Sequence, residues 1–122
     1  MIRAVICDDE DAALKIITYS IENQGIPIEI VGTASDGKEA LALIKKENPN
    51  LVFLDIEMPG MNGFDVVEKL NAVNCKVIII TAYSTFSYAQ RALRLGVSDI
   101  IEKPIDTDTL KEAIQRAIGW EF

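Results

Sequence analysis

Apolar and polar positions along this chain follow two patterns, short continuous apolar runs and longer segments with a helical period. The apolar runs predict strands at 3–7, 28–33, 51–54, 77–81 and 98–102. The segments between them have apolar positions every three or four residues and predict helices at 11–23, 36–47, 63–70, 84–95 and 106–118. Strands that alternate with helices predict an α/β fold, in which helices cover both faces of a parallel sheet.

Local signals support several helix boundaries. Asp36, with Glu39 three residues later, has the pattern of a capping box. Gly96 follows the last apolar positions of the fourth helix, as a C-terminal glycine cap does. Asp106 and Asp108 put negative charge in the first turn of the last helix, where the helix dipole favours it.

Length and charge narrow the class of protein. With 122 residues, 49% of them hydrophobic, the chain is expected to form a single domain over 1–122. It contains no apolar stretch near the ~18 residues of a membrane span, and Met1 leads directly into a strand, so we expect neither a membrane segment nor a signal peptide. The net charge of −7 argues against direct binding of nucleic acid by this domain.

The cysteines are Cys7 and Cys75, and the chain has no histidine. Two cysteines alone do not make a structural zinc site, which usually has four ligands. We expect two buried free thiols in a reducing compartment and therefore a cytoplasmic location.

Charged side chains follow three of the predicted strands. Asp8 and Asp9 come after the first, Asp55 after the third and Lys103 after the fifth. The carboxyl ends of parallel strands form one edge of a sheet, where ligand sites of α/β folds lie. Three carboxylates at one edge disfavour joint ionisation unless a cation neutralises them. Mg²⁺ suits such oxygen ligands, and Mn²⁺ could substitute.

The same edge has the groups that phosphoryl transfer needs. An aspartate can form an aspartyl phosphate when a metal and a cation stabilise the transferred group. Lys103 offers that cation as a compact point charge, and Thr81 offers a hydroxyl at the end of the fourth strand. Because Pro104 follows Lys103, the peptide between them is a candidate for the cis form.

Four motifs now match a known family. They are Cys-Asp-Asp-Glu at 7–10, Leu-Asp-Ile-Glu-Met-Pro-Gly-Met-Asn-Gly at 54–63, Thr-Ala at 81–82 and Lys-Pro at 103–104. Over residues 2–118 the chain resembles the receiver domain of bacterial two-component response regulators, the CheY-like fold. The resemblance implies a doubly wound five-stranded parallel sheet of flavodoxin-like order 2-1-3-4-5, with five helices.

The resemblance also implies roles for the acidic residues. Asp55 would accept a phosphoryl group from a phosphohistidine on a sensor histidine kinase. Asp9, Asp55 and the backbone carbonyl of Glu57 would bind Mg²⁺, and Asp8 would hold a metal-bound water.

Further implied roles concern the switch. Thr81 would bond a phosphoryl oxygen and move together with Ala82, and Lys103 would pair with the phosphoryl group across a cis Lys103–Pro104 peptide. Many receivers have an aromatic residue three positions before the lysine, where this chain has Ile100. We therefore expect the switch to act through Thr81 and the segment 82–88, with Tyr83 or Phe86 moving.

Residues 81–93 resemble receivers attached to AraC-type DNA-binding domains, and LytTR-type regulators share parts of the pattern. This suggests transcription regulation through an output domain outside this chain, and a homodimer through the face formed by 84–118.

Other functions fit less well. A flavodoxin-like cofactor binder needs a phosphate-binding loop where Asp8 and Asp9 stand. A Mg²⁺-dependent phosphatase could use Glu57 as a general acid, but so short a chain has no cap over a substrate pocket. A receiver that is never phosphorylated is disfavoured by the intact site residues. We therefore expect a signalling switch that catalyses only its own phosphorylation and dephosphorylation.

Overall fold

The computed structural model describes residues 1–70, 75–83 and 85–119. The described strands are β1 (Ile2–Cys7), β2 (Ile28–Ala34), β3 (Leu51–Asp55), β4 (Lys76–Thr81) and β5 (Asp99–Glu102). The described helices are α1 (Asp11–Asn23), α2 (Gly37–Glu47), α3 (Gly63–Glu68), α4 (Phe86–Arg94) and α5 (Thr107–Ile118). Strands and helices alternate throughout, which confirms the predicted α/β class.

The strands form one parallel sheet in the order β2-β1-β3-β4-β5, as the resemblance implied. In this order β3 is the central strand, and all five of its residues are buried. The register pairs Cys7 of β1 with Leu54 of β3, and Asp55 of β3 with Ile80 of β4. The acids after β1 and at the end of β3 therefore lie side by side at the carboxyl edge.

Alternate residues of the central strands point into two hydrophobic clusters, one on each face. Phe53 and Ile78 belong to the cluster beneath α1 and α5. Leu54 and Ile79 belong to the cluster beneath α2, α3 and α4. Burial on both faces explains why the predicted strands appear as continuous apolar runs.

Two helices differ from their predicted bounds by two residues at one end, and the other differences are of one residue. The fourth helix begins at Phe86, because the Thr85 side chain accepts a hydrogen bond from the Tyr88 N–H and caps the helix there, whereas the predicted start at residue 84 lies outside the described residues. The third helix ends at Glu68 and not at residue 70. The Lys69 N–H bonds to the carbonyls of both Asp65 and Val66, so the last turn tightens and the helix stops.

Asp36 and Gly96 lie at the helix ends where caps were predicted, and Asp36 forms one of the two hydrogen bonds of a capping box. The Asp36 side chain accepts a hydrogen bond of 2.7 Å from the Glu39 N–H, and Gly96, after the C-cap residue Leu95, adopts a positive φ of 76°. A reciprocal capping box, which the sequence analysis did not identify, joins Asn62 and Asp65 at the start of α3.

The thiols are free, but only Cys7 is fully buried, whereas Cys75 is half-buried at the end of the strand away from the acids. The expectation of two buried thiols is thus wrong for Cys75, which precedes the first paired residue of β4. Burial, with smaller contributions from Glu39 and Asp8, raises the pKa of Cys7 to about 12. No helix in the described ranges has both the length and the apolar character of a membrane span.

Candidate functional site

The acids predicted to converge do so at the carboxyl edge of the sheet. Carboxylate oxygens of Asp8, Asp9, Glu10 and Asp55 all lie within 4.8 Å of one another. Asp8 and Asp55 are buried, with 2% and 3% of their surface exposed, whereas Asp9 and Glu10 face solvent. The cluster thus has a buried side, formed by Asp8 and Asp55, and a solvent-exposed side, formed by Asp9 and Glu10.

Lys103 lies across this cluster. Its Nζ is 3.0 Å from Asp8 Oδ2, 3.4 Å from Asp55 Oδ2 and within hydrogen-bond distance of Glu10 Oε1. The amine reaches the cluster from the end of β5, where the Lys103 N–H donates to the Thr81 carbonyl at 2.7 Å. The Lys103–Pro104 peptide is cis.

Burial and the neighbouring charges shift the pKa values of two groups at the site, Asp55 and Lys103. Burial raises the pKa of the Asp55 carboxyl to about 6, and the charge of Asp8 adds to this, while Lys103 and the Glu57 N–H act in the opposite direction. Burial alone would lower the pKa of Lys103, but the carboxylates of Glu10, Asp8 and Asp55 reverse this and raise it. One lysine does not balance four acids that lie so close together.

This donor set fits a hard divalent cation. Mg²⁺ prefers oxygen ligands, usually one or two carboxylates with waters completing the octahedron. The buried oxygens of Asp8 and Asp55 and the exposed carboxylate of Asp9 offer such ligands on the open side of the cluster. A bound cation would also offset the charge that raises the pKa of Asp55.

Thr81 is fully buried beside these acids, but its hydroxyl already has a partner. Thr81 Oγ1 donates to Glu57 Oε2 at 2.9 Å, with the Tyr83 carbonyl as a longer alternative acceptor at 3.3 Å. In return Oγ1 accepts a hydrogen bond of 3.0 Å from the Tyr83 N–H. The sequence analysis assigned the hydroxyl to a phosphoryl group and did not anticipate the Glu57 carboxylate.

Backbone contacts fix the position of Asp55. The Glu57 N–H donates to Asp55 Oδ1 at 3.3 Å, and the Gly63 N–H donates to the Ile56 carbonyl at 2.9 Å. A Cβ atom at Gly63 would lie 2.5 Å from the Asp55 carbonyl oxygen, so only glycine fits there without a backbone shift. The start of α3 thereby rests directly on the peptide of Asp55.

The residues expected to form the switch lie after β4, at the start of α4 and in β5. Ala82, Tyr83 and Phe86 are exposed, the latter two by 62% and 78%, and Ile100 is half-buried in β5. No described contact joins Tyr83 or Phe86 to Asp55. Their predicted movement therefore stays a prediction.

A different aromatic residue joins α4 to α3. The rings of Tyr88 and Phe64 meet edge-on with centroids 5.3 Å apart, and the Arg91 guanidinium lies 4.6 Å above the Phe64 ring. Burial raises the pKa of the Tyr88 hydroxyl, and the Glu57 carboxylate raises it further. Tyr88 is thus electrostatically linked to the same carboxylate that holds Thr81.

Glu10 was missed as a member of the site. It was visible in the sequence within the acidic run 8–11, but its position relative to Lys103 depends on how the loop after β1 folds. That loop is shaped by the Asp8 carboxylate, whose Oδ1 accepts a hydrogen bond of 2.9 Å from the Glu10 N–H.

Comparison with known proteins gives a consistent family. The family model described as "Response regulator receiver domain" matches residues 4–115. The chain is 35% identical over 118 residues to the transcriptional regulatory protein HptR of Staphylococcus aureus, and the match covers 97% of this chain and 47% of HptR. The chain thus spans about half the length of this curated relative.

Solved structures agree. The REC domain of AraT, a response regulator from Geobacillus stearothermophilus, is 35% identical with a TM-score of 0.85, covering 97% of this chain and 94% of that one. A chain of the CheX-CheY-BeF3-Mg+2 complex from Borrelia burgdorferi is 27% identical with a TM-score of 0.86, covering 98% of this chain and 90% of that one.

The sheet order, the acidic edge facing a lysine and a family match over most of the chain agree with one another. The chain belongs to the response regulator receiver domain family.

Proposed function

We propose that Asp55 is the phosphoacceptor of this receiver domain. The observation that supports this is a buried carboxylate, 3% exposed, held between an acidic cluster and the Lys103 amine. A carboxylate oxygen of Asp55 attacks the phosphorus of a phosphohistidine on a sensor histidine kinase. The P–N bond breaks as the P–O bond forms, and the departing imidazole keeps the bonding electron pair.

The proposed cation is Mg²⁺, with Mn²⁺ as a substitute. Asp9, Asp55 and the backbone carbonyl of Glu57 would bind it directly, and Asp8 would do so through a water. When bound, the cation supplies positive charge next to the transferred group. The acidic cluster supports this assignment, as does the Borrelia burgdorferi complex, which contains BeF3 and Mg+2.

Two further side chains complete the proposed reaction. Lys103 exchanges its carboxylate partners for the oxygens of the phosphoryl group and neutralises their charge. The Thr81 hydroxyl donates to one of these oxygens, and its shift, together with Ala82, starts the switch. Because Ile100 replaces the usual aromatic residue, movement of the segment 82–88 transmits the change.

An apolar groove beside Lys103 suits the kinase. Ala13 and Ile16 of α1 line it on one side, and Pro104 and Ile105 line it on the other. A donor protein that packs an apolar helix into this groove would place its phosphohistidine near Asp55.

The wider function is a further proposal, and its transcription-regulating part is supported by the relative HptR, a transcriptional regulatory protein. The domain, spanning 1–122, would act in the cytoplasm as a switch without an external substrate, and control transcription through an AraC-type or LytTR-type output domain. It would form a homodimer through the face of 84–118, where Phe86 and Leu93 are 78% and 77% exposed. It would not contact nucleic acid itself, consistent with the net charge of −7.

The direct test is phosphorylation in vitro. Incubation with acetyl phosphate and Mg²⁺ should add one phosphoryl group to the intact mass of the wild-type protein, and Asp55→Asn should abolish the adduct. Folded wild-type protein that acquires no adduct in Mg²⁺ would refute the proposal.

A second test concerns Glu57, whose side chain lies two residues after the acceptor. Glu57→Ala should change the rate of dephosphorylation much more than the affinity for Mg²⁺, because the proposed metal contact is the backbone carbonyl. Titration with Mg²⁺ and decay of the phosphorylated protein measure the two quantities. A large loss of Mg²⁺ affinity would contradict the prediction.

A further inference from the structure

The Thr81 hydroxyl has a single proton, and two groups require it. In this structure Oγ1 lies 2.9 Å from Glu57 Oε2. Under the proposed function, a phosphoryl group on Asp55 needs the same proton. A hydroxyl donates one hydrogen bond at a time, so the two acceptors exclude each other.

We propose that Glu57 is a positioning residue that holds Thr81 in its resting orientation and competes with the phosphoryl group for its hydroxyl. The inference rests on the proposed function of Asp55. It assigns to the Glu57 side chain a role separate from that of its backbone carbonyl.

Three observations support the proposal that Glu57 holds the Thr81 hydroxyl in this orientation. Thr81 is fully buried, so water does not readily replace Glu57 as the acceptor. The acceptor is a carboxylate, and hydrogen bonds to charged acceptors are stronger than those between neutral groups. The Tyr83 N–H, 3.0 Å from Oγ1, occupies one of the oxygen's lone pairs and limits its rotation.

A backbone hydrogen bond links Glu57, the proposed competitor, to Asp55, the proposed acceptor. The Glu57 N–H donates to Asp55 Oδ1, so the residue that holds Thr81 is anchored to the carboxylate that is modified. The Glu57 carboxylate also acts on Tyr88 of α4. A shift of Thr81 changes the surroundings of this carboxylate and thereby those of Tyr88, which packs edge-on against Phe64. In this way a change at Asp55 reaches α4 without an aromatic residue at position 100.

A double-mutant cycle with beryllofluoride, a mimic of the phosphoryl group, tests the proposal in the presence of Mg²⁺. Glu57→Ala should tighten beryllofluoride binding about three- to tenfold, the range expected for one net hydrogen bond. Removing a negative charge could also tighten the binding of an anion. The same substitution is therefore made in a Thr81→Val background, where less than about a twofold gain should remain.

The outcomes separate the two proposals. Failure of the wild-type protein to bind beryllofluoride in Mg²⁺ would reject the proposed function. Binding by the wild type together with an equal gain in both backgrounds would reject only the hold by Glu57, as would weaker binding after Glu57→Ala.

A measurement without any mimic tests the resting state, including the case in which Thr81→Val binds too weakly to measure. The amide resonance of Tyr83 reports on the Thr81 hydroxyl that it contacts. Glu57→Ala should shift this resonance, whereas Glu47→Ala, which removes a partner of Arg3 on another part of the surface, should leave it in place. An unmoved Tyr83 resonance would overturn the proposal.

Discussion

The helices α4 and α5 follow one another in the chain and cover opposite faces of the sheet. Both are amphipathic, but they pack against the sheet in different ways. In α5, four side chains are buried, among them Leu110 and Ile114 with no exposed surface. In α4 only Ala92 is buried, and Leu93 is 77% exposed. The apolar residues of α5 lie in the core, whereas several of those of α4 lie on the surface.

The difference indicates which helix is free to respond to the site. Burial of several large apolar side chains stabilises the packing of a helix by several kcal/mol, whereas each aromatic or ion-pair contact contributes about 1 kcal/mol or less. Besides the buried Ala92, the contacts of α4 are of the second kind: Tyr88 on Phe64, and Arg91 with Phe64 and Glu68. Elements with few buried apolar contacts open most easily, and the proposed switch segment, 82–88, overlaps the first turn of such a helix.

The largest expected effect is on stability. Ile114→Ala should lower the free energy of unfolding by about 2–5 kcal/mol, because it leaves a cavity beneath α5. The matched change in α4, Leu93→Ala, should alter it by less than about 0.5 kcal/mol, because that side chain is already in water. Urea denaturation measures both, and similar losses for the two variants would contradict the contrast.

A smaller effect concerns the charge of Asp55 at the carboxyl edge of the sheet. Asp55 has a pKa of about 6 in the folded protein, above its value of 3.8 when unperturbed. A carboxyl with a raised pKa binds its proton more tightly when folded, so it makes the folded state less stable as pH rises from about 4 to about 6. Above this range, without Mg²⁺, Asp55→Asn should be more stable by up to about 3 kcal/mol, or roughly 10 °C in melting temperature.

Thermal melts of wild type and Asp55→Asn in EDTA, from about pH 4 to about pH 7.5, give the difference as a function of pH. The gain should appear across the stated range and shrink when Mg²⁺ stabilises the wild-type protein. An Asn variant that is less stable at the upper end of this range would show that Lys103 compensates the Asp55 charge fully.

The smallest effect is local. Arg91→Ala removes the contact with the Phe64 ring and the 3.1 Å ion pair with Glu68. The Arg91 and Glu68 side chains are half-exposed, so the free energy of unfolding should fall by only about 0.5–1 kcal/mol. Hydrogen exchange should become faster in α4 and stay unchanged in α5. Arg116→Ala, which removes the ion pair between Arg116 of α5 and Asp99 of β5, is the matched control. Equal acceleration in both helices would show that α4 is not held separately.

The sequence was sufficient to predict the fold because its signals are local and repeated. Continuous apolar runs such as 51–54 mark strands buried on both faces, and the charged residues after them mark the carboxyl edge. The positions of Asp8, Asp9, Asp55 and Lys103 relative to these runs were therefore enough to predict that their side chains converge.

The partner of the Thr81 hydroxyl could not be predicted in the same way. Whether that hydroxyl meets a phosphoryl group or Glu57 depends on side-chain rotamers in the loop after β3, which no periodicity encodes. The end of α3 and the start of α4 also differ from the prediction, because both are set by single hydrogen-bonded turns, at Lys69 and at Thr85. Such terminal bonds outweigh the helix propensity of the adjoining residues.

The contact between Gly63 and the Asp55 peptide has a consequence for sequence variation. Asp55 is positioned by main-chain atoms, through the Gly63 Cα and the hydrogen bond from its N–H to Ile56. Exposed side chains of the loop between them, such as Pro59, can therefore diverge without displacing the Asp55 carboxylate. If Asp55 is the proposed acceptor, receivers can acquire different partners through this loop while the geometry at Asp55 stays the same.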